Sequence, residues 1–374
     1  MALESIGPTS KFRPLVVRCL LTSLLLLTTA SASAAEFQGH ARLWLGNAVD
    51  TNARRDFVST DKSTQPDLFL FGLGQLDGVL LLGERVRISG AYDVSGRKFL
   101  FLPTEDTVVQ NAQLEATVSF AKYFQFGLAG RARDRRGAER DYTDLVGGAL
   151  LDFIPDPSVE MRVQINAHRF LFYDRFAYSF SGPDGQISAR YRITKRHSVS
   201  GFGAYMPRKY NSDARTKPLP AGCDVPEPPP ECMAPPTMTR VDQVFGGGLS
   251  YSYRGPFQFS FSYSYFDQSS NSYGESVRRH RLNATAGFRL PWSLMLMTSI
   301  TWQPSVFPEG VYLSPDLTVL EEDENTSSLT VKLVKPLGRY FDLDIRYAGY
   351  LGVLPQNEFL YLRHVVSIGV SVSY

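Results

Sequence analysis

The chain has 374 residues, with 39 Lys and Arg against 37 Asp and Glu, and 13% of it is Phe, Trp or Tyr. Such an even balance argues against nucleic acid as a partner, which calls for a basic face. After the N-terminal region no run reaches the roughly eighteen apolar residues that a transmembrane helix needs.

The N-terminal region carries Lys11, Arg13 and Arg18, then an apolar run over 20–29, then Ala30, Ser31, Ala32, Ser33, Ala34 and Ala35. Basic, apolar and small residues in that order make a secretory signal peptide, and the apolar run is too short to span a bilayer. Residues 1–35 are read as a cleaved export signal and 36–374 as the mature domain. Removing 1–35 leaves equal numbers of acidic and basic residues.

From Glu36 onward, segments of roughly ten residues alternate between apolar and polar and are separated by turn residues, the pattern of a transmembrane β-barrel. About sixteen such segments are predicted, with fourteen and eighteen as the even-numbered alternatives. In the first, Phe37, Gly39, Ala41, Leu43 and Leu45 oppose His40 and Arg42. The second, 68–82, is too uniformly apolar for its register to be read. Arg85, Arg87 and Asp93 oppose Val86, Ile88 and Tyr92. Glu115 faces away from Leu114 and Ala116. Phe124, Phe126 and Leu128 lead into Arg131 and Arg133. A weaker segment over 141–153 holds Asp144 and Asp152. Glu160, Arg162 and His168 oppose Met161, Val163 and Ile165, and Arg190 and Arg192 oppose Ala189, Tyr191 and Ile193. A ninth segment covers 198–206.

The second half repeats the design. Tyr251 and Tyr253 alternate with Ser250 and Ser252. Phe257, Phe259, Phe261, Tyr263 and Tyr265 alternate with Gln258, Ser260, Ser262 and Ser264, a row that suits a lipid-facing strand. Arg281 and Arg289 oppose Leu282, Ala284 and Phe288. Segment 292–302 follows, then Lys332 between Val331 and Leu333, then Arg346 with Asp342 and Asp344 against Phe341, Leu343 and Ile345. Connections alternate between short ones, such as those at Gly83, Lys122 and Gly255, and longer ones at 50–65, 95–106, 207–238 and 303–324. Short periplasmic turns and long extracellular loops give that asymmetry.

The last segment has Val366, Ile368, Val370, Val372 and Tyr374 on one face and Ser367, Gly369, Ser371 and Ser373 on the other. It resembles the closing strand of bacterial outer-membrane β-barrel proteins. That resemblance implies an all-β antiparallel up-and-down barrel in the outer membrane, among lipid and lipopolysaccharide. It also implies that the barrel-insertion machinery reads Tyr374. Trimeric general porins narrow their pore with a long third external loop; here the corresponding stretch, 134–139, is short and charged.

With Tyr374 facing out, the polar positions face a lumen. Its predicted lining is Arg42, Arg85, Arg87, Arg131, Arg133, Arg162, Arg190, Arg192, Arg279, Arg281, Arg289, Lys332, Arg346 and Arg363, with fewer carboxylates. Rings of arginine favour anionic cargo, because a low-dielectric wall focuses their field inward. The bland alternative is that these charges pair across strands and select nothing.

Cys223 and Cys232 lie in the proline-rich loop 207–238, where an exported chain is expected to join them as a disulfide. That loop either constricts the mouth or stands outside as a recognition surface. The acidic run 321–324 reads as a solvated loop. His40, His168, His197, His280 and His364 are scattered, with no nucleophile or acid grouped beside them, so no catalytic site, metal or cofactor is predicted. The reading is a channel for hydrophilic, anionic solutes or polymers, with an acidic polysaccharide for export as one case and periplasmic export or envelope proteins as partners. The alternative is a barrel used as an anchor for adhesion or for an envelope-spanning assembly.

Overall fold

A computed structural model describes residues 35–54, 64–138, 140–216, 238–309, 327–353 and 360–374. The predicted export signal, Cys223, Cys232 and the acidic run 321–324 lie outside these residues. The strands are β1 (Ala35–Asp50), β2 (Asp67–Leu82), β3 (Val86–Phe99), β4 (Thr107–Ala121), β5 (Phe124–Arg136), β6 (Tyr142–Asp156), β7 (Val159–Phe172) and β8 (Phe180–Arg192). They continue with β9 (His197–Asp213), β10 (Thr239–Arg254), β11 (Gln258–Ser270), β12 (Val277–Arg289), β13 (Met295–Trp302, resumed at Ser305–Val306), β14 (Ser327–Pro336), β15 (Phe341–Val353) and β16 (Leu360–Ser373).

Each strand pairs antiparallel with the next, and β16 pairs with β1, so the described residues form a closed sixteen-stranded barrel. Closure leaves no unpaired edge, which is what a β structure in hydrocarbon requires. At this strand number a barrel has room for an aqueous interior rather than a packed core. The register is consistent all the way round. Trp44 faces Leu73 on one side and Ser371 on the other, and the remaining partners keep inward residues opposite inward residues.

The outward face carries an aliphatic belt that includes Leu45, Leu128, Ile165, Leu249, Ile300 and Ile368, all exposed. Aromatic side chains flank it at both ends. Phe37, Phe120, Phe257, Trp292 and Tyr374 lie toward the short turns, while Tyr92, Tyr205, Phe245 and Trp302 lie toward the loops. An apolar band between two aromatic girdles is the surface of a membrane-spanning barrel. Three outward histidines reinforce the girdles by the same diagonal contact. His197, His280 and His364 each share a 2.8 Å hydrogen bond, through Nδ1, with the hydroxyl of Tyr251, Tyr263 and Tyr347.

Several strands outrun their predicted ends. β3 continues through Phe99 and β9 through Asp213, so residues taken as loop at 95–99 and 207–213 are barrel wall. Alternation fades there because both faces of the strand meet polar surroundings or protein. β6 runs through Pro155 to Asp156, with a register shift against β7 after Phe153 that accommodates the proline. β2, unreadable in the sequence, turns Leu68, Leu70 and Leu76 outward and Phe69, Phe71 and Leu73 inward.

Candidate lumenal site

Inward aromatics lie where the opposing backbone is bare. A Cβ on Gly46 would stand 2.5 Å from Phe71 Cζ, and one on Gly369 would stand 2.4 Å from Trp44 Nε1. The Trp44 and Phe71 rings meet at 4.3 Å on this glycine seat. Across the lumen, Gly246 and Gly248 give the same clearance to Phe266 and Phe202, at 2.6 and 2.7 Å. The glycine run 246–248 thus relieves crowding, as its place within a strand suggests.

At the loop end, two arcs of the interior are closed by packed aromatics. Tyr142, Phe170, Phe172, Phe180 and Tyr210 form one buried cluster on β6 to β9. Arg240 lies over Tyr210 at 3.9 Å and Arg208 over Phe180 at 4.8 Å. The second cluster gathers Ala48, Ala53, Phe69, Phe99 and Leu102. Beside it, Arg363 on β16 donates from Nη2 and Nε to Asp50 Oδ2 on β1, at 2.6 and 2.9 Å. Asp50 is 0% and Arg363 1% exposed, so this pair locks the seam between first and last strand out of contact with water.

Many predicted lumenal cations are neutralised across strands. Arg162 donates to Asp152 on β6 at 2.7 and 2.9 Å and reaches Glu115 on β4 at 2.9 and 3.1 Å. It passes over β5, whose facing positions there are the small Gly127 and Ala129. Arg131 pairs with Asp144 at 3.1 Å, His168 holds the same carboxylate at 2.6 Å, and Arg190 pairs with Glu160 at 3.5 Å. Lys332 approaches Asp344 at 3.4 Å. Arg133 lies 6.0 Å from the centre of the Tyr142 ring. Arg87, Arg192 and Arg281 stand at inward-facing register positions. Arg85 stands in the turn after β2, and Arg289 ends β12 at the turn end of the wall.

The structure also turns inward residues that the sequence left unassigned. Among them are Asp67 and Asp77 on β2, Arg97 on β3, Arg135 on β5, Asp184 on β8, and Arg208, Arg240 and Asp242 near the loop end. The four added carboxylates are matched by four added arginines, so these residues leave the cationic excess as it was. Continuing the alternation of β3 and β9 past their predicted ends would have found Arg97 and Arg208; nothing in the uniform run of β2 marked Asp77.

The interior is two-sided. From β4 to β8 its wall carries the cross-strand ion pairs of Arg131, Arg162 and Arg190. From β9 to β14, toward the turn end, it carries hydroxyls and an amide. Ser198 with Ser252 and Ser200 with Ser250 meet at 2.7 Å, Ser260 with Thr285 at 2.6 Å, and Thr301 donates to Asn283 at 2.8 Å. A cavity of about 500 Å³ opens along this second wall. Its lining runs from Ser252 and Ser260 through Thr285, Ser299 and Thr330 to Lys332, Arg346, Arg42 and Trp44. Arg42 donates to Ser371 at 3.3 Å, and neither it nor Arg346 forms an ion pair among the described residues. Among the described residues no cluster of His, Cys, Asp and Glu has the geometry to hold a metal ion.

No protein-family model and no curated protein matches the chain. Among solved structures it is similar to the outer-membrane expressed OmpT of Vibrio cholerae, at 8% identity and a TM-score of 0.47, covering 92% of this chain and 99% of that one. A bacterial polysaccharide outer membrane secretin gives 10% identity and a TM-score of 0.43, covering 89% and 98%. The Ralstonia pickettii toluene transporter TbuX gives 9% and 0.39, covering 90% and 89%. Likenesses this distant carry no argument about what passes through the barrel. The fold itself rests on the strand pairing: this chain is a closed, sixteen-stranded, antiparallel β-barrel.

Proposed function

We propose that this barrel is an outer-membrane channel that passes hydrophilic, anionic solutes or polymers, an acidic polysaccharide among them. The observation that carries the reading is the pair Arg42 and Arg346. Both line the lumenal cavity, and neither has a carboxylate partner among the described residues. Cations without counter-charges on a low-dielectric wall raise the local concentration of anions. The ion pairs elsewhere in the lumen brace the wall and contribute little to selectivity.

Purified protein in planar bilayers tests this directly. Stable conductance steps with a reversal potential shifted toward the anion are expected. The Arg42→Glu, Arg346→Glu double variant should abolish or invert that shift. Unchanged selectivity would remove these residues from the conduction path.

The second reading is an anchor for adhesion or for an envelope-spanning assembly. The two packed aromatic arcs that narrow the interior at the loop end favour it. An electrically silent barrel that keeps its fold would support the anchor and sink the channel.

A further inference from the structure

We infer that the cavity beside Trp44 is a binding subsite for one acidic sugar unit, a pyranose bearing a carboxylate. The inference rests on the channel reading for its biological sense, and on the geometry of the cavity for its chemistry. Three features converge there.

The first is an aromatic platform. Trp44 is held against the wall by its glycine seat at Gly369 and by the Phe71 ring at 4.3 Å, so the indole is fixed rather than free to rotate. It is only half-buried, and it lines the cavity. A rigid indole offers a flat apolar surface to the C–H face of a sugar ring at small entropic cost.

The second is positive charge over and around that platform. Lys332 Nζ lies 5.1 Å from the centre of the indole ring, and Arg42 and Arg346 line the same cavity. Lys332 already has Asp344 at 3.4 Å, which leaves the two guanidinium groups for an incoming carboxylate. The third is the hydroxyl wall. Thr285, Ser299 and Thr330 line the same space with groups that both donate and accept, which matches the hydroxyls of a saccharide. A volume of about 500 Å³ accommodates a small ligand of this kind.

Other ligand classes use only part of this set. A small inorganic anion would engage the guanidinium groups and leave the indole and hydroxyls idle. An aromatic acid would stack and pair but leave the hydroxyl wall unused. A neutral sugar would leave the cations unpaired.

The test uses three probes on the full barrel: trigalacturonate, maltotriose and citrate. Trp292→Phe and Trp302→Phe together make Trp44 the sole tryptophan. In detergent, trigalacturonate should perturb its fluorescence saturably, with maltotriose and citrate at least ten-fold weaker, about 1.4 kcal/mol. In bilayers, trigalacturonate should interrupt the current. Trp44→Ala should shorten those interruptions roughly ten-fold. Arg346→Gln should shorten them for trigalacturonate and leave maltotriose unaffected. Equal binding of citrate and trigalacturonate would reduce the site to bare electrostatics and overturn the inference. Equal binding of maltotriose would remove the acidic requirement and overturn it as well. Because fluorescence does not require conduction, a silent barrel that still binds trigalacturonate would refute the channel and keep the subsite. A conducting barrel with no fluorescence response would refute the subsite and keep the channel.

Discussion

Asp50 and Arg363 meet where the first strand joins the last, and neither is in contact with water. Removing one partner leaves the other charged, buried and uncompensated, which costs about 3–5 kcal/mol. Arg363→Met should therefore lower the temperature at which the barrel loses its heat-modifiable mobility on gels, and Asp50→Leu should do the same. The double variant should recover much of the loss, since two well-packed apolar side chains leave no stranded charge. A double variant as weak as the sum of the two singles would mean that the pair does not act as a unit. Asn52 supports the same corner: its backbone N–H donates to Asp50 Oδ1 at 3.0 Å and its Nδ2 donates to the Leu362 carbonyl at 3.2 Å. None of this could be read from sequence. Asp50 and Arg363 are 313 positions apart, and only closure of the ring brings them together.

Within the elements, the interplay of aromatic and glycine sets what a strand tolerates. A methyl group at Gly369 would stand 2.4 Å from Trp44 Nε1 and 2.9 Å from the Leu45 carbonyl. Gly369→Ala should thus destabilise by about 1–3 kcal/mol, as overpacking does. Adding Trp44→Ala should relieve the indole contact and return part of that loss on the same gel assay. No recovery would place the strain in the backbone instead. On the outer face, Leu249 is 67% exposed in the aliphatic belt, and Leu249→Arg should cost about 2–4 kcal/mol of folding free energy in lipid vesicles. A neutral result would put β10 outside the hydrocarbon. Strand alternation was legible almost throughout: the row Phe257 to Tyr265 predicted β11, and Val366 to Tyr374 predicted the outward face of β16. It failed in β2, where lipid and packed aromatics flank opposite sides of one strand and both demand apolar residues. It also failed where strands rise beyond the apolar belt, because there lipid no longer forces a distinction between the faces.

At the scale of the whole molecule, charge near the lumenal surface is what the surrounding electrolyte can weaken. The Debye length shrinks from about 10 Å at 0.1 M salt to about 3 Å at 1 M. Anion preference measured by reversal potential should therefore fall steeply across that range if the unpaired cations set it. A preference that survives at high salt would point to a steric origin. The position of those cations was legible from alternation alone, since Arg42 and Arg346 both fall on polar faces of readable strands. Their freedom from partners was not. It depends on which carboxylates the register sets opposite them, and the inward carboxylates of β2 stood in the one strand whose register could not be read.

The unlike sides of the interior have a consequence for handedness. A passage that presents in turn the Trp44 indole on β1, ion pairs from β4 to β8 and hydroxyls from β9 to β12 has three unlike walls in one rotational order, which no mirror plane along its axis preserves. A chiral molecule sliding along it meets donors and charges in a fixed rotational order that its enantiomer cannot match. Paired D and L forms of one acidic solute should thus dwell for different times in the barrel, although their charge and size are identical.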